Sequence, residues 1–335
     1  MKKEIGSEFH KIPFENGNGF NMPLSGYLVF SGRTAIETVL KDINEANKAI
    51  LPSYCCDSMI EPFKRLGIEV SFYQVEFEDG LKIELEISED IDILLWCNYF
   101  GFNVSMPDLT EFIKRGGVII EDITHSLLSR ISFHTQSHYL VASLRKWEPI
   151  YCGGYCAKAG GGIHNIPKKA PKLEFLECKK KAMELKNEYL AYPEPKKKKK
   201  FLQMFEESNR WIADNYSGIS IDSWSKDYLD HVNIKAQRSI RYNNAMVLYK
   251  SLRGKARFLF RASDMDCPLF VPILLENREE VKQILIENHI YCPIHWPRPR
   301  GANSYLYEKE LSLICDQRYD EEDMERIVSI LSPLL

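Results

Sequence analysis

No run of about 18 consecutive apolar residues occurs in this sequence, so nothing in it reads as a membrane-spanning helix. The N-terminal stretch Met1-Lys2-Lys3-Glu4-Ile5-Gly6 carries charge but lacks the apolar segment of a secretory leader, and a cytoplasmic location is expected. An excess of one charge is missing too: 47 Asp and Glu face 44 Lys and Arg, a net −3, which argues against a dedicated nucleic-acid binder. There is no internal repeat. Nine cysteines, an odd number, lie at 55, 56, 97, 152, 156, 178, 267, 292 and 315, mostly in apolar or strand-like stretches, which suits buried thiols in a reducing compartment better than a disulfide framework. Cys152 and Cys156 have no second Cys/His pair at zinc-site distance, so no metal is expected.

What remains is an ordinary globular composition, 44% apolar and 27% charged over 335 residues, long enough for one large or two moderate domains around a small-molecule pocket. From Ser31 to Ala159 short apolar runs alternate with helical stretches, the pattern of βαβ units on a mainly parallel sheet. A helix begins at Ser31-Gly-Arg-Thr34, with Ile36, Val39, Leu40 and Ile43 at helical spacing. Strands are expected over Ala49–Pro52, Ile68–Phe72, Ile91–Cys97 and Val118–Asp122, and a helix over Asp57–Leu66 that Gly67 ends. Between about 160 and 240 the chain reads as mostly helix, and Lys196 to Lys200, after Tyr192-Pro-Glu-Pro195, reads as a solvated helix start or loop, with phosphate binding as its functional alternative. A long helix over Asn233–Leu252 precedes a strand at Leu269–Leu275, a helix at Glu279–Asn288, a strand at Tyr291–Trp296 and a closing helix at Asp320–Leu331. This divides the chain into a large domain, 1–235, and a smaller α+β domain, 236–335.

Three segments place polar groups at strand ends or a helix start, where open α/β sheets bind ligands. Ser31-Gly32-Arg33-Thr34 either caps its helix or leaves backbone N–H groups to hold an anion. Glu121-Asp122-Ile-Thr-His125 follows an apolar strand; Asp122 there either caps a helix or pairs with a protonated ring nitrogen. In Ser143-Leu-Arg-Lys146-Trp147, followed by Gly153-Gly154, Lys146 is either a surface lysine with its stem on Trp147 or a desolvated amine able to attack an aldehyde. Together, in this order, they supply what pyridoxal phosphate (PLP) needs: an anion cradle, a partner for the pyridinium nitrogen and an amine for the imine.

In these segments the sequence resembles the PLP-dependent enzymes of fold type I, and among them the DegT family of aminotransferases, many of which act on nucleotide-linked sugars. Phe30-Ser-Gly-Arg-Thr-Ala-Ile36 resembles the first-helix motif, Leu51-Pro-Ser-Tyr54 the proline-tyrosine strand end, and Asn98-Tyr-Phe-Gly101 the aromatic-glycine turn. Ile290-Tyr-Cys-Pro-Ile-His-Trp296 and Leu311-Ser-Leu313 are similar to the small-domain strand and the stretch before the last helix. The resemblance implies an α/β fold with a mainly parallel central sheet and a smaller α+β domain. It implies Lys146 as the Schiff-base lysine, Asp122 as the pyridinium partner, His125 beside the phenolic oxygen, and Gly32, Arg33, Thr34 and Ser143 around the phosphate. Cys56 stands where the family has its stacking aromatic, and Tyr54 takes that role here. Arg318 and Arg298 are the candidates for the donor carboxylate. The implied activity is transfer of an amino group from an amino-acid donor, glutamate first, to a keto acceptor such as a keto sugar or sugar nucleotide, by a homodimer with no nucleic-acid or membrane partner. A PLP-dependent lyase or dehydratase, or a non-catalytic binding protein on the same fold, are the alternatives.

Overall fold

The computed structural model describes residues 4–11, 16–43, 45–78, 80–102, 104–130 and 133–335; residues 1–3 of the N-terminal stretch considered above lie outside them. The chain gathers into two compact units, one of residues 1–7, 45–138 and 235–335, the other of residues 8–44 and 139–234.

In the first unit five strands lie side by side in the order Val118–Asp122, Ile93–Cys97, Lys48–Pro52, Glu69–Phe77, Leu81–Glu84. The first four are parallel and the last joins antiparallel. Ile93–Cys97 is buried at every position, as a strand covered on both faces requires, and its register sets Cys97 against Asp122. The helix Asp57–Arg65 buries Met59, Ile60 and Phe63, and Gly67 at φ +76° lets the chain turn after it. Residues from 235 on add an antiparallel sheet of Arg257–Phe258, Val271–Leu274 and Glu310–Leu313, with helices Ile234–Ser251, Arg278–Glu287 and Glu321–Leu331. The strand expected over Tyr291–Trp296 is shorter and earlier, Ile290–Tyr291, paired parallel with Ile5–Gly6. Pro293 has no N–H to continue a ladder, and only its carbonyl is used, accepting from Ser312 N at 3.0 Å.

The second unit holds three antiparallel strands in the order Gly26–Val29, Gly154–Lys158, Tyr139–Ser143, with the helix Gly32–Ile43 packed on them. Its other helices are Leu173–Ala191, Pro195–Asn215 and Ser223–His231. The first two bury Ala182, Met183, Tyr189, Phe201 and Phe205 against one another, with Tyr151. Lys196 to Lys200 form the first turns of Pro195–Asn215, with Pro195 in the opening position, where its missing N–H costs nothing. No disulfide occurs among the described residues. Nor, among them, is any helix long and apolar enough to cross a membrane, or any group of three or more His, Cys, Asp or Glu able to hold a metal.

Candidate active site

The second unit carries the anion-binding and lysine segments. Ser31 precedes the helix Gly32–Ile43, and its Oγ accepts the Thr34 N–H at 3.2 Å, so the capping role read from the sequence is filled. Thr34 Oγ1 lies 3.0 Å from Ser31 Oγ and donates to the Tyr216 carbonyl at 2.9 Å, which fixes the rotamers of both hydroxyls. The glycines are there for close approach. A Cβ on Gly154 would sit 2.2 Å from the Ser31 carbonyl oxygen, and one on Gly32 would sit 3.1 Å from Ser143 Cβ. The helix start is therefore pressed onto the strand ends that carry Ser143, gathering Ser31, Gly32, Thr34 and Ser143 around one set of helix N–H groups.

Lys146 ends a 3-10 turn, Leu144–Lys146, that leaves the strand Tyr139–Ser143. Leu144 and Trp147 on either side are fully buried, while Lys146 itself is half-buried. Beside it lies a group the sequence reading missed. Burial pulls Arg145 below its usual pKa; the opposing charge of Glu8 raises it, and Arg33 lowers it further. Burial would raise Glu8, but Lys179, Asn209, Arg145 and Lys186 together bring it down to about 2. Asn209 Nδ2 donates to Glu8 at 2.9 Å and Lys179 Nζ stands 3.5 Å away. Three cations, Arg145, Lys179 and Lys186, thus share one carboxylate in the unit that holds Lys146, with Arg33 near Arg145.

The first unit carries the acidic and aromatic segments. Asp122 closes the strand Val118–Asp122, 7% exposed, and Oδ1 accepts the Thr124 N–H at 2.8 Å. No helix follows it, so this is a turn contact rather than the helix cap that was the alternative. Its neighbour Glu121, fully buried, accepts from Asn98 Nδ2 and His134 N at 2.8 Å each and from Ser137 Oγ at 2.5 Å, and meets His134 Nδ1 at 2.8 Å. Glu121 thus anchors the strand end next to Asp122.

His125, 2% exposed, receives the Phe100 N–H on Nδ1 at 3.1 Å. A neutral imidazole that accepts at Nδ1 carries its proton on Nε2, so His125 presents an N–H donor there. The turn that aims Phe100 N needs Gly101, at φ +92°, because a Cβ would fall 2.0 Å from the Cys267 carbonyl oxygen. Trp296 stacks on His125, ring centres 5.6 Å apart at 30°.

Tyr54 is fully buried, packed on Tyr99, Trp296 and Tyr307 at 5.7, 5.1 and 5.2 Å. Its hydroxyl lies close enough to Glu310 for burial and that charge to hold its pKa well up, yet it makes no hydrogen bond of ordinary length. Arg318 grips Asp316 with Nε to Oδ1 at 2.8 Å and Nη2 to Oδ2 at 2.7 Å, so its fork is already filled. Arg298 is more open, with single bonds to Ser304 O and Glu308 Oε1, both 3.3 Å. Sequence reasoning also missed Glu310 and Ser312; alternation along Glu310-Leu-Ser-Leu313 puts both on one face, which was the available signal.

The residues fit PLP. Taken unit by unit, the glycine-backed helix start at Gly32 with Ser143 beside it suits a phosphate, Asp122 suits a ring N–H, and the His125 tautomer suits a phenolic oxygen.

No family model matches the chain, and no curated protein matches it in sequence. Solved structures do. DesV of S. venezuelae, in complex with a ketimine intermediate, is 14% identical, with a TM-score of 0.61 over 92% of this chain and 84% of that one. A DegT DnrJ EryC1 StrS aminotransferase from Brucella abortus is 14% identical, with 0.59 over 94% and 87%. A Streptococcus pneumoniae protein designated a sugar aminotransferase, in its PLP form, is 10% identical, with 0.61 over 99% and 98%. The chain therefore has the α/β fold of the PLP-dependent transferases of fold type I. Within that class its likeness is to the DegT-type sugar aminotransferases.

Proposed function

We propose that this chain is a PLP-dependent aminotransferase that takes an amino group from an amino-acid donor, glutamate being the first to test, and gives it to a keto acceptor. Aminotransferases of the same fold support the reading, and those solved as sugar enzymes point to a keto sugar or sugar nucleotide as acceptor. The observation that carries it is the coincidence of roles: a glycine-backed helix start at Ser31 to Thr34, a carboxylate at the strand end at Asp122, and a half-buried lysine at 146 three residues after Ser143.

When bound, PLP supplies an electron sink for the pair left as the donor's α-proton departs. The Asp122 carboxylate would hold a proton on the ring nitrogen, Nε2–H of His125 would donate to the phenolic oxygen, and Ser143 with the backbone N–H groups from Gly32 on would bind the phosphate, with Arg33 adding charge; Thr34, committed to Tyr216 and Ser31, would hold the helix start in place. Lys146 would anchor the cofactor through its amine and would be the group that takes up and returns the donor's α-proton. Trp296, stacked on His125, and the Tyr54 cluster behind it keep water from this side of the site. Arg298, with its weaker bonds, is the better of the two arginines for the donor carboxylate. A homodimer is part of the proposal.

Purified protein supplied with PLP is expected to show the visible absorbance of a lysine-bound cofactor, shifted by glutamate, and Lys146→Ala to lose both. A wild-type protein that takes up no PLP would sink the reading; one that takes it up without responding to any amino donor would make it a binding protein instead.

A further inference from the structure

In the first unit, Glu310, Ser312 and His295 form a chain of contacts that the transamination roles leave unused. Glu310 is fully buried, and its Oε2 accepts the His295 backbone N–H at 2.7 Å. Its Oε1 lies 2.5 Å from Ser312 Oγ, and Ser312 Oγ lies 2.8 Å from His295 Nδ1. Both short gaps need a proton. With Glu310 ionised only one pattern satisfies them: the serine hydroxyl donates to the carboxylate, so His295 Nδ1–H donates to the serine oxygen and Nε2 carries no proton. With Glu310 protonated the pattern reverses: the acid donates to the serine oxygen, the hydroxyl donates to Nδ1, and the ring proton sits on Nε2.

We propose that Glu310, Ser312 and His295 are a proton relay in which the state of Glu310 decides which nitrogen of His295 carries the ring proton. A proton arriving at Nε2 forms an N–H bond there; the Nδ1–H bond breaks toward Ser312 Oγ, the Ser312 O–H breaks toward Glu310 Oε1, and the acid ends neutral. One proton is taken up, one negative charge disappears and the imidazole never becomes a cation. That suits a histidine packed against Phe100, His125, Phe270 and Trp296, at 5.3, 5.6, 5.0 and 5.3 Å between ring centres, where a cation would be poorly solvated.

The groups facing the relay leave it poised. Burial raises Glu310, while Ser312, the His295 N–H, Arg278 and Tyr54 hold it back, and it comes to rest at about 8. The Cys292 thiol, which burial pushes up to about 12, and the Tyr54 hydroxyl, also pushed up, stay neutral; His125 is a further titratable neighbour. Glu310 thus acts through Ser312 as a positioning residue, and His295 is the group that gives or takes the proton. The relay stands on contacts within the first unit and does not depend on the proposed cofactor.

The test is nitrogen NMR of full-length protein labelled in its histidines, from pH 6 to 9.5, with His295 assigned by its loss in His295→Asn. In wild type the ring proton is expected to move from Nδ1 to Nε2 as the pH falls through about 8, with the ring neutral throughout. Glu310→Gln, whose amide can donate to Ser312, should hold it on Nε2 at every pH, and Ser312→Ala should remove the pH dependence, which Ser312→Thr restores. An imidazolium below pH 8, paired with the Glu310 Oε1 that lies 3.9 Å from Nδ1, would overturn the relay, as would an unchanged tautomer swap in Ser312→Ala.

Discussion

Residue by residue, chemistry was legible where the chain itself brings groups together. Asp122 and His125 are three apart on one turn, as are Ser143 and Lys146, and local spacing shows both pairs. Glu310 was not legible, because its meaning comes from His295, fifteen residues earlier, and from burial that the sequence does not show. The Glu121–His134 contact is of the same kind and yields a pH prediction. Burial lowers the His134 pKa, but the hydrogen bond and charge of Glu121 outweigh it and the net shift is upward. A histidine raised on folding stabilises fully below its unfolded value, 6.5, and loses that contribution as the pH rises through the folded one. Urea unfolding of wild type and His134→Gln should therefore differ most below about pH 6.5 and converge toward pH 9. A gap that widens with pH would show that the pairing is not what holds His134.

At the scale of elements, periodicity and stop signals placed Gly32–Ile43, Asp57–Arg65, Ile234–Ser251, Arg278–Glu287 and Glu321–Leu331 to within a few residues, the apolar faces of the first and last being strong. Pairing direction was harder to read. Tyr139–Ser143 and Gly154–Lys158 run antiparallel in a stretch read as parallel βαβ, since an apolar run of five carries no sign of its partner's direction. Caps give two predictions here. Asp320 accepts the Asp323 N–H at 3.1 Å in a reciprocal capping box, so Asp320→Ala should cost about 1 kcal/mol in urea unfolding. The helix Pro195–Asn215 does the opposite, opening with five lysines at the end where the helix dipole is positive. Lys197 is offset by Glu188 at 3.1 Å and Lys198 by the Tyr189 ring at 5.6 Å; Lys196 is exposed. Lys196→Glu should stabilise the protein by about 0.5 kcal/mol at low ionic strength and by much less at 1 M salt. Weaker PLP binding in that variant would instead give the run a phosphate-binding role.

Over the whole molecule, each unit is stitched from separate stretches of chain, so contiguity in sequence is a poor guide to which parts fold together. A measurement on the whole chain tests the proposed ligand roles together. Absorbance alone is exposed to an artefact, because PLP condenses with any accessible amine and the lysines at 196, 199 and 200 are exposed. Stability is not deceived in this way: an imine on a surface lysine forms as readily on the unfolded chain and shifts nothing, whereas a ligand held only by the folded protein stabilises it by about 2.7 kcal/mol at a hundred times its Kd. Saturating PLP should accordingly raise Tm by something on the order of 5 °C. Lys146→Ala should keep part of that rise through the phosphate and ring contacts, Ser143→Ala should lose part of it too, and pyridoxal without its phosphate should give little in any of them. A wild-type Tm that responds equally to PLP and to pyridoxal would take the phosphate out of the cradle at Gly32 and Ser143.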